Sequence, residues 1–180
     1  MLTRLVRLAP VVLLAACASP SDDPAPSAPP PAWSLTFEYQ PGYTDDGIWW
    51  IVTVPWQGLC HIEARHWRRT YIGDDFDPTD EMRARLYASL EAARFRELAE
   101  VRPGGSDCER MTLTFEDERG THVVRVADPT GVLAWLPENR NEEYDEVRRF
   151  MSVVVELLRI TGSPESRQTP EMFERLMRSD

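Results

Sequence analysis

The stretch Trp33-Ser34-Leu35-Thr36-Phe37-Glu38-Tyr39-Gln40 decides the fold. Bulky apolar residues occupy every second position and polar residues fill the gaps, the two-residue period of a strand with one face buried and one in water. After the turn residues Pro41-Gly42 and Asp45-Asp46-Gly47, Ile48 to Val54 is apolar on both parities at most positions. That pattern predicts a central strand. Pro55 to Gly58 breaks it, and Leu59 to Trp67 predicts a third strand with Cys60, Ile62 and Ala64 on one face and His61, Glu63 and Arg65 on the other. Arg69 to Ile72 is a shorter fourth strand, ended by Gly73-Asp74-Asp75.

Downstream the period changes. Asp77 to Leu98 predicts a long helix, with Asp77 as its cap, Pro78 at the first helical position, and Asp80 and Glu81 on the positive dipole end. Met82, Leu86, Leu90, Ala93 and Leu98 form its expected buried face, with Arg83, Arg85, Glu91 and Arg94 outside. Met111, Leu113 and Phe115 alternate with threonines, Glu116 to Gly120 turns, and Thr121 to Ala127 returns as a hairpin. Asp128-Pro129-Thr130-Gly131 reads as another turn, followed by a short apolar segment, Val132 to Leu136, that pairs with the sheet or covers it. A second long helix is predicted from Asn141 to Ile160 on the stripe Tyr144, Val147, Met151, Val154 and Leu158, with Gly162 and Pro164 ending it. The expected class is α+β: a largely antiparallel sheet with two long helices on one face, in the order strand-strand-strand-(strand)-helix-strand-strand-helix. This domain spans 33–162. A tail, 163–180, carries a short amphipathic segment with Met172, Phe173, Leu176 and Met177, expected to dock locally or fray.

Upstream of the domain the chain has a different character. Arg4 and Arg7 precede an apolar run through Leu8, Val11, Val12, Leu13 and Leu14 that ends in Ala15-Ala16-Cys17, a targeting segment too short to span a bilayer comfortably. Leu14-Ala15-Ala16-Cys17 resembles the lipobox of bacterial lipoproteins. The resemblance implies removal of residues 1–16 as a signal peptide and fatty acylation of Cys17 with palmitate-type chains. Several chains on one residue, at about 0.8 kcal/mol per buried methylene, give stable attachment to a lipid bilayer. Ala18 in place of Asp after the cysteine implies the outer membrane, facing the periplasm, as the destination in the cell envelope. Residues 17–32 hold six prolines after the cysteine, and read as a semi-rigid stalk of at most about 40 to 45 Å.

All 20 basic residues are arginine, they face 30 acids, and the net charge of −10 becomes more negative once Arg4 and Arg7 leave. No basic footprint for nucleic acid is present. Outside the cytosol, the two thiols of the folded part, Cys60 and Cys108, are expected to form a disulfide that stabilises the fold by roughly 4 kcal/mol in the chain-entropy model. The rival reading makes Cys60 a nucleophile beside His61 as base.

The residues offer little else for catalysis. Two imidazoles and a carboxylate in His61-Ile62-Glu63 with His66 have the donor types for zinc, but a regular strand sends His66 to the face opposite His61, leaving a solvated face as the expected account. The run Asp74, Asp75, Asp77, Asp80 and Glu81 lacks the spacing of a calcium loop. No Gly-x-Ser-x-Gly elbow, phosphate loop or dinucleotide fingerprint occurs. No catalytic residue, metal or cofactor is therefore expected. Tryptophan is the better lead: Trp50 shares a parity with Ile48, Val52 and Val54, while Trp49 and Trp56 are freer to join His61, Glu63 and Arg65 in a binding surface.

The run Leu90 to Leu98, a Gly/Asp-containing loop, the strand Met111 to Phe115, a turn and Val123 to Val126 resemble the small bacterial domains of the emfourin group. The similarity covers Leu35 to Leu158 in element order. It implies an α+β fold and, from the founding member, inhibition of a thermolysin-like metallopeptidase, with no inhibitory residue carried over. The expected function is thus a non-catalytic, membrane-anchored envelope lipoprotein that binds a protein partner. The alternatives are a metallopeptidase inhibitor or a metal-dependent enzyme using His61 and Glu63.

Overall fold

The computed structural model describes residues 32–42, 48–66, 69–72, 75–99, 107–135, 142–162 and 170–178. Six strands pair antiparallel throughout: β1 (Trp33–Gln40), β2 (Ile48–Pro55), β3 (His61–His66), β4 (Arg69–Ile72), β5 (Arg110–Asp117) and β6 (Gly120–Ala127), in the spatial order β4-β3-β2-β1-β5-β6. The alternation of β1 is realised residue by residue. Trp33, Leu35, Phe37 and Tyr39 are buried, and their neighbours across the ladder, Val54 and Phe115 beside Leu35, Val52 and Leu113 beside Phe37, are buried as well. A slip of one residue would put Glu38 into that layer, so the register is tightly specified.

Among the described residues the helices are α1 (Asp80–Ala92), α2 (Pro129–Trp135), α3 (Glu142–Thr161) and α4 (Pro170–Arg178), with a 3₁₀ turn at Phe95–Glu97. They lie on the apolar face of the sheet, where α1 and α3 pack side by side and α2 and α4 rest on α3. The α+β class, the antiparallel sheet and the placement of both long helices on one face are as the sequence pattern predicts. The tail docks: Phe173 is fully buried, and Arg159 of α3 bonds both Glu156 of its own helix (2.6 Å) and Glu174 of α4. Gly162, at φ 78, closes α3 in the left-handed conformation that lets its N–H reach the Leu158 carbonyl at 2.8 Å.

Three local expectations change. Helix α1 starts at Asp80, capped by Thr79, whose hydroxyl accepts the Met82 N–H at 3.2 Å. Asp77 is instead occupied by the Arg83 guanidinium, at 2.8 Å. The segment expected to pair with the sheet is the short helix α2, because Asp128 turns its carboxylate onto the Gly131 N–H (3.0 Å) and caps a turn opened by Pro129. Arg83, expected in solvent, is only 4% exposed. Its Nε donates to the Pro55 carbonyl at 3.2 Å, and its terminal nitrogens donate to the Pro78 and Gly58 carbonyls and to Asp77. One planar cation thereby ties the end of β2, the following loop and the approach to α1 together.

The expected Cys60–Cys108 disulfide is not formed. The register shows why. Cys60, just before β3, lies level with Val54 and Leu35, whereas Cys108 lies against Gly42, where a side-chain carbon would meet the Asp107 carbonyl at 2.7 Å and the Cys108 carbonyl carbon at 3.3 Å. Seven residues of β-strand separate those levels, about 20 Å at the usual rise, against the roughly 7 Å between Cα atoms that a disulfide tolerates. The nucleophile reading fails as well: Cys60 is buried in the core while His61 points into solvent. Burial pushes the Cys60 thiol up to about 12, with nearby Arg83 opposing and Asp75 reinforcing the shift.

Two outcomes follow for the full chain. A reducing agent leaves its melting temperature unchanged, and alkylation in native buffer spares Cys60 while labelling the half-buried Cys108; a melting point that falls on reduction would show a crosslink. Arg83→Met lowers unfolding free energy in urea by about 3 kcal/mol, because buried carbonyls lose their donors, and Arg83→Lys recovers less than half of it.

Candidate functional site

Two surfaces stand out. The first is the face of the sheet that no described helix covers. Its central rows follow from the register: His61, Thr53, Thr36, Thr114 and Val123 in one line across five strands, and Glu63, Ile51, Glu38, Thr112 and Arg125 in the next. Thr36 and Thr53 share a hydroxyl hydrogen bond of 3.3 Å. Trp49 is 38% exposed at one end of this face, and Val123 is 47% exposed at its β6 edge. Large apolar side chains left in water between threonines and isolated charges make a surface with both contact area and adaptable hydrogen-bonding groups.

The sequence-selected residues divide. Trp49, His61 and Glu63 share this face, and Arg65 is the cross-strand partner of Trp49 in the ladder. Trp56 does not belong to it. Its ring packs 6.1 Å from Trp33 against the core, because it follows the parity of Trp50, Val52 and Val54. His61 Nδ1 lies 2.7 Å from Asp75 Oδ1, an exposed pair that holds the imidazole at the start of β3. The β3 register is continuous, so no bulge brings His66 to the parity of His61 and Glu63. Among the described residues no group of three or more histidine, cysteine, aspartate or glutamate side chains stands in metal-binding proximity. Cys17 and the stalk lie outside the described residues. No helix among the described residues is long and apolar enough to cross a membrane.

The second surface, which sequence reasoning missed, is a cavity of about 180 Å³ at the other end of the sheet, between the last turn of α1, the 3₁₀ turn and β5. Leu90, Phe95 and Phe115, nearly sealed from solvent, lie beneath it, and Arg94, Arg96 and Arg119 surround it together with Glu91 and Glu97. Phe95 meets Phe115 edge-on at 6.4 Å and His122 edge-on at 5.5 Å, which fixes the floor. Arg96 lies over the Phe115 ring at 5.2 Å and donates to Asp117 and to the Gly120 carbonyl. Asp117, 1% exposed at its side chain, also accepts the Arg119 backbone N–H at 2.7 Å and the Arg119 guanidinium at 3.1 and 3.0 Å. Burial alone would raise the Asp117 carboxyl, but hydrogen bonds from Arg96 and Arg119 outweigh it and hold the group below the ordinary carboxylate range.

No protein family matches the chain, and no curated protein matches it either.

The lowered Asp117 value has a signed consequence. A carboxyl with a depressed folded-state pKa stabilises the fold above its unfolded value, near 3.9, and that stability disappears as pH falls through the folded value. Asp117→Asn is therefore less stable than the wild type above about pH 5, and the gap between their melting temperatures narrows as the pH falls below about 4. A gap independent of pH would show that the carboxylate is not held by its two arginines.

Proposed function

We propose that the chain is a membrane-anchored envelope lipoprotein whose domain binds another protein, without catalysis, through the uncovered face of its sheet. The observation that carries this reading is Trp49, standing in solvent on a sheet face whose other parity is sealed under helices. Six strands at about 4.8 Å spacing and about 25 Å in length present on the order of 600 Å², close to one partner's share of a standard interface. Tryptophan is the residue type most often found at the energetic centre of such interfaces. The anchor is supported by the sequence ending Ala15-Ala16-Cys17 and the proline-rich stalk, which together suit a tethered domain. The strongly acidic composition argues for a protein rather than a nucleic-acid partner.

The reading is tested in cells carrying the full chain with a photo-crosslinking residue at position 49 or 123, compared with exposed positions 84 and 88 on α1. A discrete adduct from the sheet positions alone is expected, with yield falling about tenfold on adding Glu at the other sheet position, and with Cys17→Ser releasing the protein from the membrane fraction. Equal labelling from α1, an absence of any adduct, or substrate turnover abolished by His61→Ala would each overturn it.

A further inference from the structure

Strand β6 stands at one edge of the sheet, and it lacks the devices that keep an edge from pairing. It runs for eight residues, Gly120–Ala127, and its ladder with β5 is continuous from end to end, with no bulge to twist it away. No proline or lysine interrupts it, whereas the opposite edge, β4, has only four residues. Val123, Val124 and Val126 give it the β-branched character of an interior strand. Edges that are long, regular and apolar are templates for another strand unless something blunts them.

The ladder phase identifies the backbone groups that face outward. The Trp56 N–H reaches the Trp33 carbonyl at 2.8 Å, so Trp33 turns its backbone groups to β2 and Ser34, opposite Glu116, turns its own to β5. Carried across β5 by strict alternation, that phase has His122, Val124 and Val126 bonding β5, and Thr121, Val123 and Arg125 directing N–H and C=O to the open edge. The bond from the Asp128 N–H to the Glu109 carbonyl, 2.8 Å, keeps the same phase just past the strand. Among the described residues no backbone bond reaches the outward groups of Thr121 or Val123. The side chains at these positions lie on the face without helices, and Val123 is 47% exposed.

We propose that β6 pairs antiparallel with β6 of a second copy of this chain about a two-fold axis at Val123, joining the two sheets into one. About that axis Val123 stands opposite Val123 of the copy, and Thr121 stands opposite Arg125 of the copy, with outward backbone groups meeting in register. Charge selects this register. Thr121 is paired with Glu116 in its own ladder and donates its hydroxyl to that carboxylate at 3.3 Å. The copy's Arg125 therefore enters the row of Glu116 from two strand spacings away, about 10 Å, a span that an extended arginine and glutamate close between them. The axis repeats the contact, so an ion pair flanks each side of an apolar centre. An axis at Arg125 would oppose two arginines, one at Thr121 would put both copies of Glu116 in one row, and one at Val124 would set Arg125 against Val123, away from Glu116. Some seven paired residues bury less than the about 1,200 Å² of a standard interface, which makes the association weak and responsive to local concentration. It is independent of any partner held at Trp49.

The test follows the full chain by sedimentation velocity from about 1 to about 300 µM, beside the variants Val123→Lys and Trp49→Ala. A monomer–dimer equilibrium with a dissociation constant of about 10 to 100 µM is expected. Val123→Lys sets two ammonium groups against each other at the axis and weakens the dimer at least about tenfold, while the melting temperature of this exposed edge variant moves by less than about 2 °C. All three chains share residues 1–32, so association through that segment would persist in Val123→Lys. Trp49→Ala leaves the dimer unchanged, which separates this interface from the open face. Mild oxidation reads the register: Val123→Cys gives a disulfide-linked dimer that the unaltered chain does not, and Thr121→Cys, whose two copies stand about 13 Å apart, crosslinks only when mixed with Arg125→Cys. A chain that stays monomeric to about 300 µM, assemblies that grow past the dimer, a dimer indifferent to Val123→Lys or lost in Trp49→Ala, or equal crosslinking from positions 121 and 123 would each overturn the assignment.

Discussion

The inward row of β1, Trp33, Leu35, Phe37 and Tyr39, is the seam on which the molecule closes. β1 is flanked on both sides, by β2 and by β5, so each of these side chains belongs to two ladders at once. Tyr39 stands opposite both Trp50 and Met111, and all three are buried. The Trp33 ring gathers Trp56, Tyr87 and Phe115 within 5.9 to 6.3 Å, joining β1, the end of β2, α1 and β5 at one corner. Burying side chains of this size contributes about 1.5 to 3 kcal/mol each, enough that the helices have no competing place to sit. The polar parity of the same strand, Ser34, Thr36, Glu38 and Gln40, leaves the opposite face without a comparable incentive for a helix, and no described helix lies on it.

Charge is handled by burial with compensation. Arg83 and Asp117 are each nearly withdrawn from solvent, and each is surrounded by partners rather than by a single counter-ion. Arg83 is met mainly by backbone carbonyls at the start of α1, and Asp117 by two guanidiniums at the β5–β6 turn. Removing one member of such a group leaves an uncompensated buried dipole or charge, which costs more than the intact pair contributes. These two clusters fix the end of the sheet level with the start of β1, where the period-two pattern alone says little about how the chain turns.

That division also explains what could be read from the sequence. The strands β1, β5 and β6 and the helix α3 announce themselves because their apolar periods are long and unbroken. Helix α2 was hidden because Asp128-Pro129-Thr130-Gly131 is at once a turn sequence and a helix start, and only the Asp128 carboxylate on the Gly131 N–H decides between them. Arg83 does fall on the apolar stripe of α1, three, four and seven residues before the buried Leu86, Tyr87 and Leu90; spacing marked it as inward while residue type marked it as outward. The two cysteines were paired by count and compartment, but the strand register sets them at opposite ends of the sheet. Of the candidate surface, Trp49, His61 and Glu63 were legible from parity, and Trp56 was not, since it lies just past the strand whose parity governs it. The cavity was invisible because a left-handed arginine has no signature in sequence, where glycine is the usual marker.

The two surfaces lie at opposite ends of β1, and this bears on how a tethered domain would use them. Trp33, where the chain enters the fold, pairs with Asp117 beside the cavity, whereas Trp49 lies level with the far end of the strand, about 20 Å away. Under the lipoprotein reading the cavity is on the stalk side and the exposed tryptophan on the side turned outward. Contact at both ends at once would require a ligand that spans that distance.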